Sequence, residues 1–323
     1  MTQGIKKPAG TPGGNTQEVR SGGSIVVKDG GSIVVQSGGQ ISVLTPRGTI
    51  WFADSTVSAS GNGLSWAAAF KTVTEAVAAA SAGDVILIQG SFNEAVEVAV
   101  AGLSLIGAGT TSNRALWTAP DTVAPCLTIN AVADCLVQNI RFRPAVANAG
   151  IELIGAAHQT QIVGCRFQGK ANSKWGIKTD GKQANVLVKD CEFFYLNTAT
   201  HGHGIYGHTY DGAEPAGWRI EDCIFHSNTQ HIVCRMRQSV IQGCVFAGKG
   251  LTAAGSMAAP SKCIDISGAT GGCNIVTKNL LGGDYSTALY VPGTDDDWVG
   301  NWSADIAEDE VADNGVTIAV PAA

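Results

Sequence analysis

Between about residues 84 and 292 the apolar positions fall in short runs broken by glycine, asparagine and aspartate, the pattern of brief strands joined by turns. The runs recur. Five end alike, in Ile140-Arg141-Phe142, Cys165-Arg166-Phe167, Cys191-Glu192-Phe193, Cys223-Ile224-Phe225 and Cys244-Val245-Phe246, and Asn279-Leu280-Leu281 is a degenerate sixth. The spacings are 25, 26, 32, 21 and 35 residues. A second ladder runs through Gly150-Ile151, Gly176-Ile177, Gly204-Ile205, His231-Ile232, Cys263-Ile264 and Ala288-Leu289, at intervals of 26, 28, 27, 32 and 25 residues. Repeated units of this size predict stacked coils, with equivalent residues about 4.8 Å apart, Cys above Cys and Phe above Phe. The longer intervals place their extra residues in loops, where binding or catalysis would sit.

Different patterns precede the coils. Residues 1–18 lack periodicity and read as a flexible tail. Residues 21–44 repeat every eight: Ser-Gly-Gly-Ser-Ile-Val-Val-Lys, Asp-Gly-Gly-Ser-Ile-Val-Val-Gln and Ser-Gly-Gly-Gln-Ile-Ser-Val-Leu. Each octad is a Gly-Gly turn and a short strand, with Ile25, Ile33, Ile41, Val27, Val35 and Val43 on one face. Three such strands bury too little to stand alone. Association with further copies, a homotrimer by preference, and a small meander packed on the same chain both remain open. Thr72-Val73-Thr74-Glu75 fits a capping box. Phe70, Val73, Val77 and Ala80 have helical spacing, and Gly83 stands where a helix would end. This short helix is expected to cap the first coil. The resulting divisions are a tail (1–18), an octad stalk or attachment segment (19–49), coils with their cap (50–292) and a C-terminal extension (293–323).

Composition narrows the classes. The chain has 323 residues, 41 glycines, 15% charged residues and a formal charge of −6. With no basic cluster, no nucleic-acid partner is expected. No apolar run reaches about 18 residues, which argues against membrane insertion. The first residues lack an apolar core of signal-peptide length, so a soluble product made in the cytosol is expected. Nine cysteines include no Cys-x-x-Cys pair, so they read as reduced, buried thiols. Neither a metal nor a cofactor is implied.

Two groups of residues merit a chemical reading. His201, His203, Tyr206, His208 and Tyr210 crowd one segment and offer metal-ligand or sugar-stacking chemistry, or simply bonds to neighbouring coils. Asp190 and Asp222 precede the cysteine in successive coils, and Glu192 falls on the rung shared by Arg166 and Ile224. Two carboxyls about 5–9 Å apart are what glycoside hydrolysis needs. Turn formation is the alternative role for the aspartates.

The segment from Gly61-Asn62-Gly63-Leu64-Ser65-Trp66 through Gly83-Asp84-Val85-Ile86-Leu87-Ile88-Gln89-Gly90, followed by the ladders, resembles the right-handed parallel β-helix proteins of the pectate-lyase-like superfamily. The implied fold is all-β, a right-handed parallel β-helix solenoid with a short capping helix and an N-terminal octad β-stalk. Arg141-Phe142-Arg143-Pro144 echoes the lyases' arginine motif, but no carboxylate cluster accompanies it. The octads, with the ending Asp297-Trp298-Val299-Gly300-Asn301-Trp302 and the tail through Ala323, look like tailed-phage virion proteins. That resemblance implies a non-enzymatic, trimeric head-decoration, head-fibre or tail-spike protein. It would be assembled in the host cytoplasm, located in the virion and bound to capsid or tail proteins. The alternatives are a tailspike polysaccharide depolymerase, glycosidase or lyase, and a carbohydrate-binding adhesin.

Overall fold

The computed structural model describes residues 48–109, 114–120, 124–144, 148–169, 173–196, 202–207, 214–247, 262–267, 272–282, 288–293, 295–303 and 318–319. The octad positions Ile25, Val27, Ile33, Val35, Ile41 and Val43 lie outside them, as do His201, His208 and Tyr210. All described residues belong to one compact unit, Thr45–Ala323.

The chain winds as a right-handed parallel β-helix with three faces. Among the described residues, sheet A has ten strands, from Ile50–Asp54 through Leu187–Lys189 and Arg219–Glu221 to Asp297–Val299. Sheet B has nine, from Ser91–Asn93 through Arg166–Gln168, Glu192–Phe194 and Ile224–His226 to Trp302–Ser303. Sheet C has nine, from Val96–Val98 through Trp175–Thr179, His203–Gly207 and Gln230–Cys234 to Ile318–Ala319. Parallel pairing passes residue 292, since Asp297–Val299 lies on Ile275–Thr277 and Trp302–Ser303 on Leu280–Gly282. Among the described residues, only the last strand of sheet C, Ile318–Ala319, runs antiparallel to its neighbour.

The first ladder is the corner from sheet A to sheet B. Its leading residue turns left-handed: Asn139, Asp190, Asp222 and Lys278 have φ of 56°, 54°, 53° and 56°, and Gly164, Gly243 and Gly300 have 62°, 65° and 63°. Gly, Asn and Asp are the types that tolerate this region best, which explains why they fill six of these seven corners, Lys278 being the exception. The next residue points inward and is buried: Cys165, Cys191, Cys223, Cys244, Asn279 and Asn301. Each donates to a carbonyl of the preceding coil. Cys191 Sγ lies 3.4 Å from Ile162 O, Cys223 Sγ 3.6 Å from Val188 O, and Asn301 Nδ2 2.8 Å from Val276 O. Cysteine and asparagine therefore share a rung because both are small donors facing a carbonyl.

Behind the corner the aromatic rings form a column. Phe142 and Phe167 centroids are 5.4 Å apart, Phe167 and Phe193 4.7 Å, Phe193 and Phe225 4.6 Å, and Phe225 and Phe246 4.9 Å. Gly176 and Gly204 make room for it: a Cβ would lie 2.6 Å from a Phe193 ring carbon at the first and 2.7 Å from a Phe225 ring carbon at the second. The second ladder thus faces the column across the interior. Its last rung is shifted by one residue from the sequence reading, because Tyr290 stands over Ile264. Tyr290 is fully buried against Trp298, with ring centroids 4.4 Å apart, and this large contact sets the register.

The helix α1 (Val73–Ala79) starts with the full Thr72/Glu75 capping box. Glu94 of the first coil also accepts from Val73 N at 2.8 Å and Thr74 N at 3.0 Å, satisfying two further N–H groups of the first turn. Val73 and Ala76 are buried in the end of the interior. Gly83 does not end the helix. Ala80 does, donating to Val77 O at 3.2 Å, and Gly83 (φ 83°) belongs to the following turn. That turn is fixed by Asp84, whose carboxylate accepts from Thr49 N at 2.6 Å, Trp51 Nε1 at 2.8 Å and Ser81 N at 2.8 Å.

Candidate functional site

Where sheet A turns into sheet B, a cavity of about 420 Å³ opens beside the ladder. Arg114, Arg166, Asp190, Glu192, Asp222 and Ile224 line it, together with Cys165 and Cys191. The three carboxylates singled out in the sequence are thereby brought to one place. Asp190 and Asp222 occupy equivalent corners because Lys189 and Glu221 pair in register. Glu192 lies between Arg166 and Ile224 on the outer row of sheet B.

The charges are unevenly committed. Glu192 meets Arg166 Nε at 2.5 Å through one oxygen and His226 Nε2 at 3.2 Å through the other. The hydrogen bond from His226, working against burial and aided by Arg166, holds the Glu192 carboxyl down at about 2. A carboxyl held ionised in this way is disfavoured as a general acid near neutral pH. Asp222 meets Lys189 Nζ at 3.2 Å, and Lys189 also reaches Glu221 at 3.5 Å. Asp190 is exposed. Arg114 donates from Nη1 to Gly164 O at 2.6 Å, while its Nε is buried without a partner.

His203 and Tyr206 lie in a strand of sheet C, on a different face from the cavity. His203 is 3% exposed, and its Nε2 bonds Gln230 Oε1 at 2.7 Å in the next coil. Tyr206 stacks on His203 at 4.9 Å and on Trp175 at 5.3 Å. Lys174 and Lys178 each place an ammonium 5.2 Å from the Trp175 ring centre, and Lys178 pairs with Glu152. These rings and charges satisfy one another across coils. Among the described residues, no group of three or more His, Cys, Asp or Glu is placed to hold a metal ion. No helix among them is long and apolar enough to cross a membrane.

Sequence reasoning did not single out Arg114, His226 or Trp175. His226 follows Phe225 by one residue and faces outward by strand alternation, a signal present in the ladder. Arg114 precedes a strand of sheet B in a coil without the Cys-x-Phe ending, and nothing in its local sequence ties it to Gly164 fifty residues on.

No family model and no curated protein sequence matches the chain. Solved structures do. A rhamnogalacturonan lyase aligns with a TM-score of 0.58 and 14% identity, over 76% of this chain and 70% of that one. An alginate lyase from Paenibacillus sp. str. FPU-7 gives 0.58 and 16%, over 73% and 85%. Pectate lyase Pel9A gives 0.57 and 14%, over 78% and 70%. At such identities the likeness establishes the parallel β-helix fold.

Proposed function

We propose that this protein is a non-catalytic spike that holds a surface polysaccharide in the corner cavity and is carried on a tailed-phage particle by its N-terminal octads. The cavity supports the binding role. Its volume falls in the range of small-ligand sites, and guanidinium and carboxylate groups converge on it beside the half-exposed Ile224. Carboxylates accept from paired sugar hydroxyls, guanidinium groups donate to ring and hydroxyl oxygens, and an aliphatic side chain packs on the C–H face. The left-handed corners and the Phe column hold these groups on a rigid frame. The single observation that favours binding over hydrolysis is the double pairing of Glu192 with Arg166 and His226, which disfavours it as a proton donor. The phage assignment rests on the octads and the chain ending, and the polysaccharide-lyase fold of the solved neighbours is compatible with a carbohydrate ligand.

The test is equilibrium binding of the full chain to purified polysaccharides from candidate bacterial hosts, with reducing ends and unsaturated-sugar absorbance followed in parallel. Expected are saturable binding, no release of new ends, and an affinity about ten-fold or more weaker in Arg114→Ala and Asp190→Ala. Sustained release of new ends would establish a depolymerase instead. Binding that ignores both substitutions would remove the cavity from the account. Cryo-EM of the particle checks the virion location.

A further inference from the structure

The outer row of sheet B changes character along the coil. It begins with Ser91 and Leu116, and its middle rungs are Arg141, Arg166 and Glu192. From the next coil onward the same row reads Ile224, Val245, Leu280 and Trp302, in register. These four side chains are 46%, 36%, 39% and 55% exposed. The interior does not need them, because Phe225, Phe246 and Leu281, the alternate residues, already fill it. The companion row on the same face also loses its bulk, from Phe194 and His226 to Ala247 and Gly282. Around the corner Val299 is 52% exposed. The result is a flat apolar strip over the last four coils, on the order of 500 Å² of side chain, at the upper end of what monomers expose.

We infer that this strip is a contact face between copies of this chain. The occupant follows from spacing, charge and area. Rungs stand about 4.8 Å apart, and a partner surface that meets them rung for rung over four coils needs the same period, which a second copy supplies. Small residues beside the row let two flat faces approach closely. Contact is confined to the last coils, because bringing Arg141, Arg143 and Arg166 of two copies together would desolvate like charges. Two strips together bury roughly 1,000 Å², the low end of specific interfaces.

The face shares Ile224 with the polysaccharide cavity but can be tested without disturbing that cavity, since Leu280 and Trp302 do not line it. Sedimentation of the full chain across a concentration series is compared with that of Leu280→Glu and Trp302→Asp, with thermal unfolding as the folding control. Expected is self-association that weakens about ten-fold or more in both variants, with Tm unchanged when it is measured on dilute, dissociated chains. For independence from such changes, Val245→Cys in a Cys273→Ser background is oxidised, which is expected to give a disulfide-linked pair of chains. An Arg141→Cys control on the same sheet is expected to give none. Cys273 is removed because it is the exposed cysteine among nine that are otherwise buried and free. A wild-type chain that stays monomeric, or association unaltered by both variants, overturns the inference. So does crosslinking that is equal at positions 245 and 141.

Discussion

Glu192 carries the densest set of polar contacts in the corner cavity, and its pairing has a direct consequence for pH dependence. The side chain is three-quarters buried, between Arg166 on the previous rung and His226 on the next coil. A carboxyl whose folded pKa is depressed stabilises the fold above its unfolded value of 4.5, and the stabilisation is lost as pH falls toward the folded value of about 2. Wild-type protein should therefore lose more Tm than Glu192→Gln between about pH 5 and pH 2. Asp54, Glu75 and Asp84 are also held below the usual carboxylate range, so both proteins lose stability on acidification. The difference in slope isolates the pair, and parallel curves would mean that Arg166 and His226 do not hold Glu192 in solution. Asp190 and Asp222 show the other use of a carboxylate here, since each occupies a left-handed corner that Gly164 and Gly243 fill in neighbouring coils.

The rung is the element from which this molecule is built, and its two glycine positions behave differently. Gly164 occupies a left-handed corner with nothing within 4 Å of a built Cβ, so alanine there meets only backbone strain, about 1 kcal/mol. Gly176 faces the Phe column, and its Cβ would lie 2.6 Å from both Gly204 O and a Phe193 ring carbon. Gly176→Ala should therefore destabilise by about 2–3 kcal/mol, clearly more than Gly164→Ala, in urea unfolding. Equal losses would mean that the column does not constrain the second ladder. This contact also explains what could be read from the chain. Cys-x-Phe and Gly-Ile recur because they touch across the interior in successive coils, at Gly150, Gly176 and Gly204, and residues under one repeated contact keep one spacing. Departures came where a single large contact overrode the repeat. Tyr290 against Trp298 shifts the final rung, and Asp84 bonded to Trp51 moves Gly83 out of the helix end. The cavity was half legible: Asp190, Glu192, Asp222 and Arg166 share ladder positions, whereas Arg114 arrives from a coil without the motif.

At the scale of the whole molecule, each described coil pairs its parallel strands with the coils before and after it, so stability is largely a sum of neighbour terms that need not be uniform. The two ends are closed differently. At the start, α1 buries Val73 and Ala76 in the end of the interior and is fastened there by Glu94. At the finish, sheet C gains the antiparallel strand Ile318–Ala319, while sheets A and B end on Asp297–Val299 and Trp302–Ser303. The central column also thins toward the end: stacked rings continue to Phe246, Leu281 follows, and the corner rung changes from cysteine to Asn279 and Asn301. Terminal coils have one neighbour and less apolar contact, so they should open at lower free energy than the middle. Native-state hydrogen exchange should accordingly show slowest exchange in Leu187–Lys189 and Glu192–Phe194 and markedly faster exchange in Asp297–Val299. Uniform protection would indicate that all coils unfold as one unit. Faster exchange at Val85–Gln89 than at Asp297–Val299 would show that α1 closes its end less firmly than its buried side chains and its bonds to Glu94 require. The ordering matters for the apolar strip on sheet B, because a face built on the least stable coils gains the most from a partner that holds them closed.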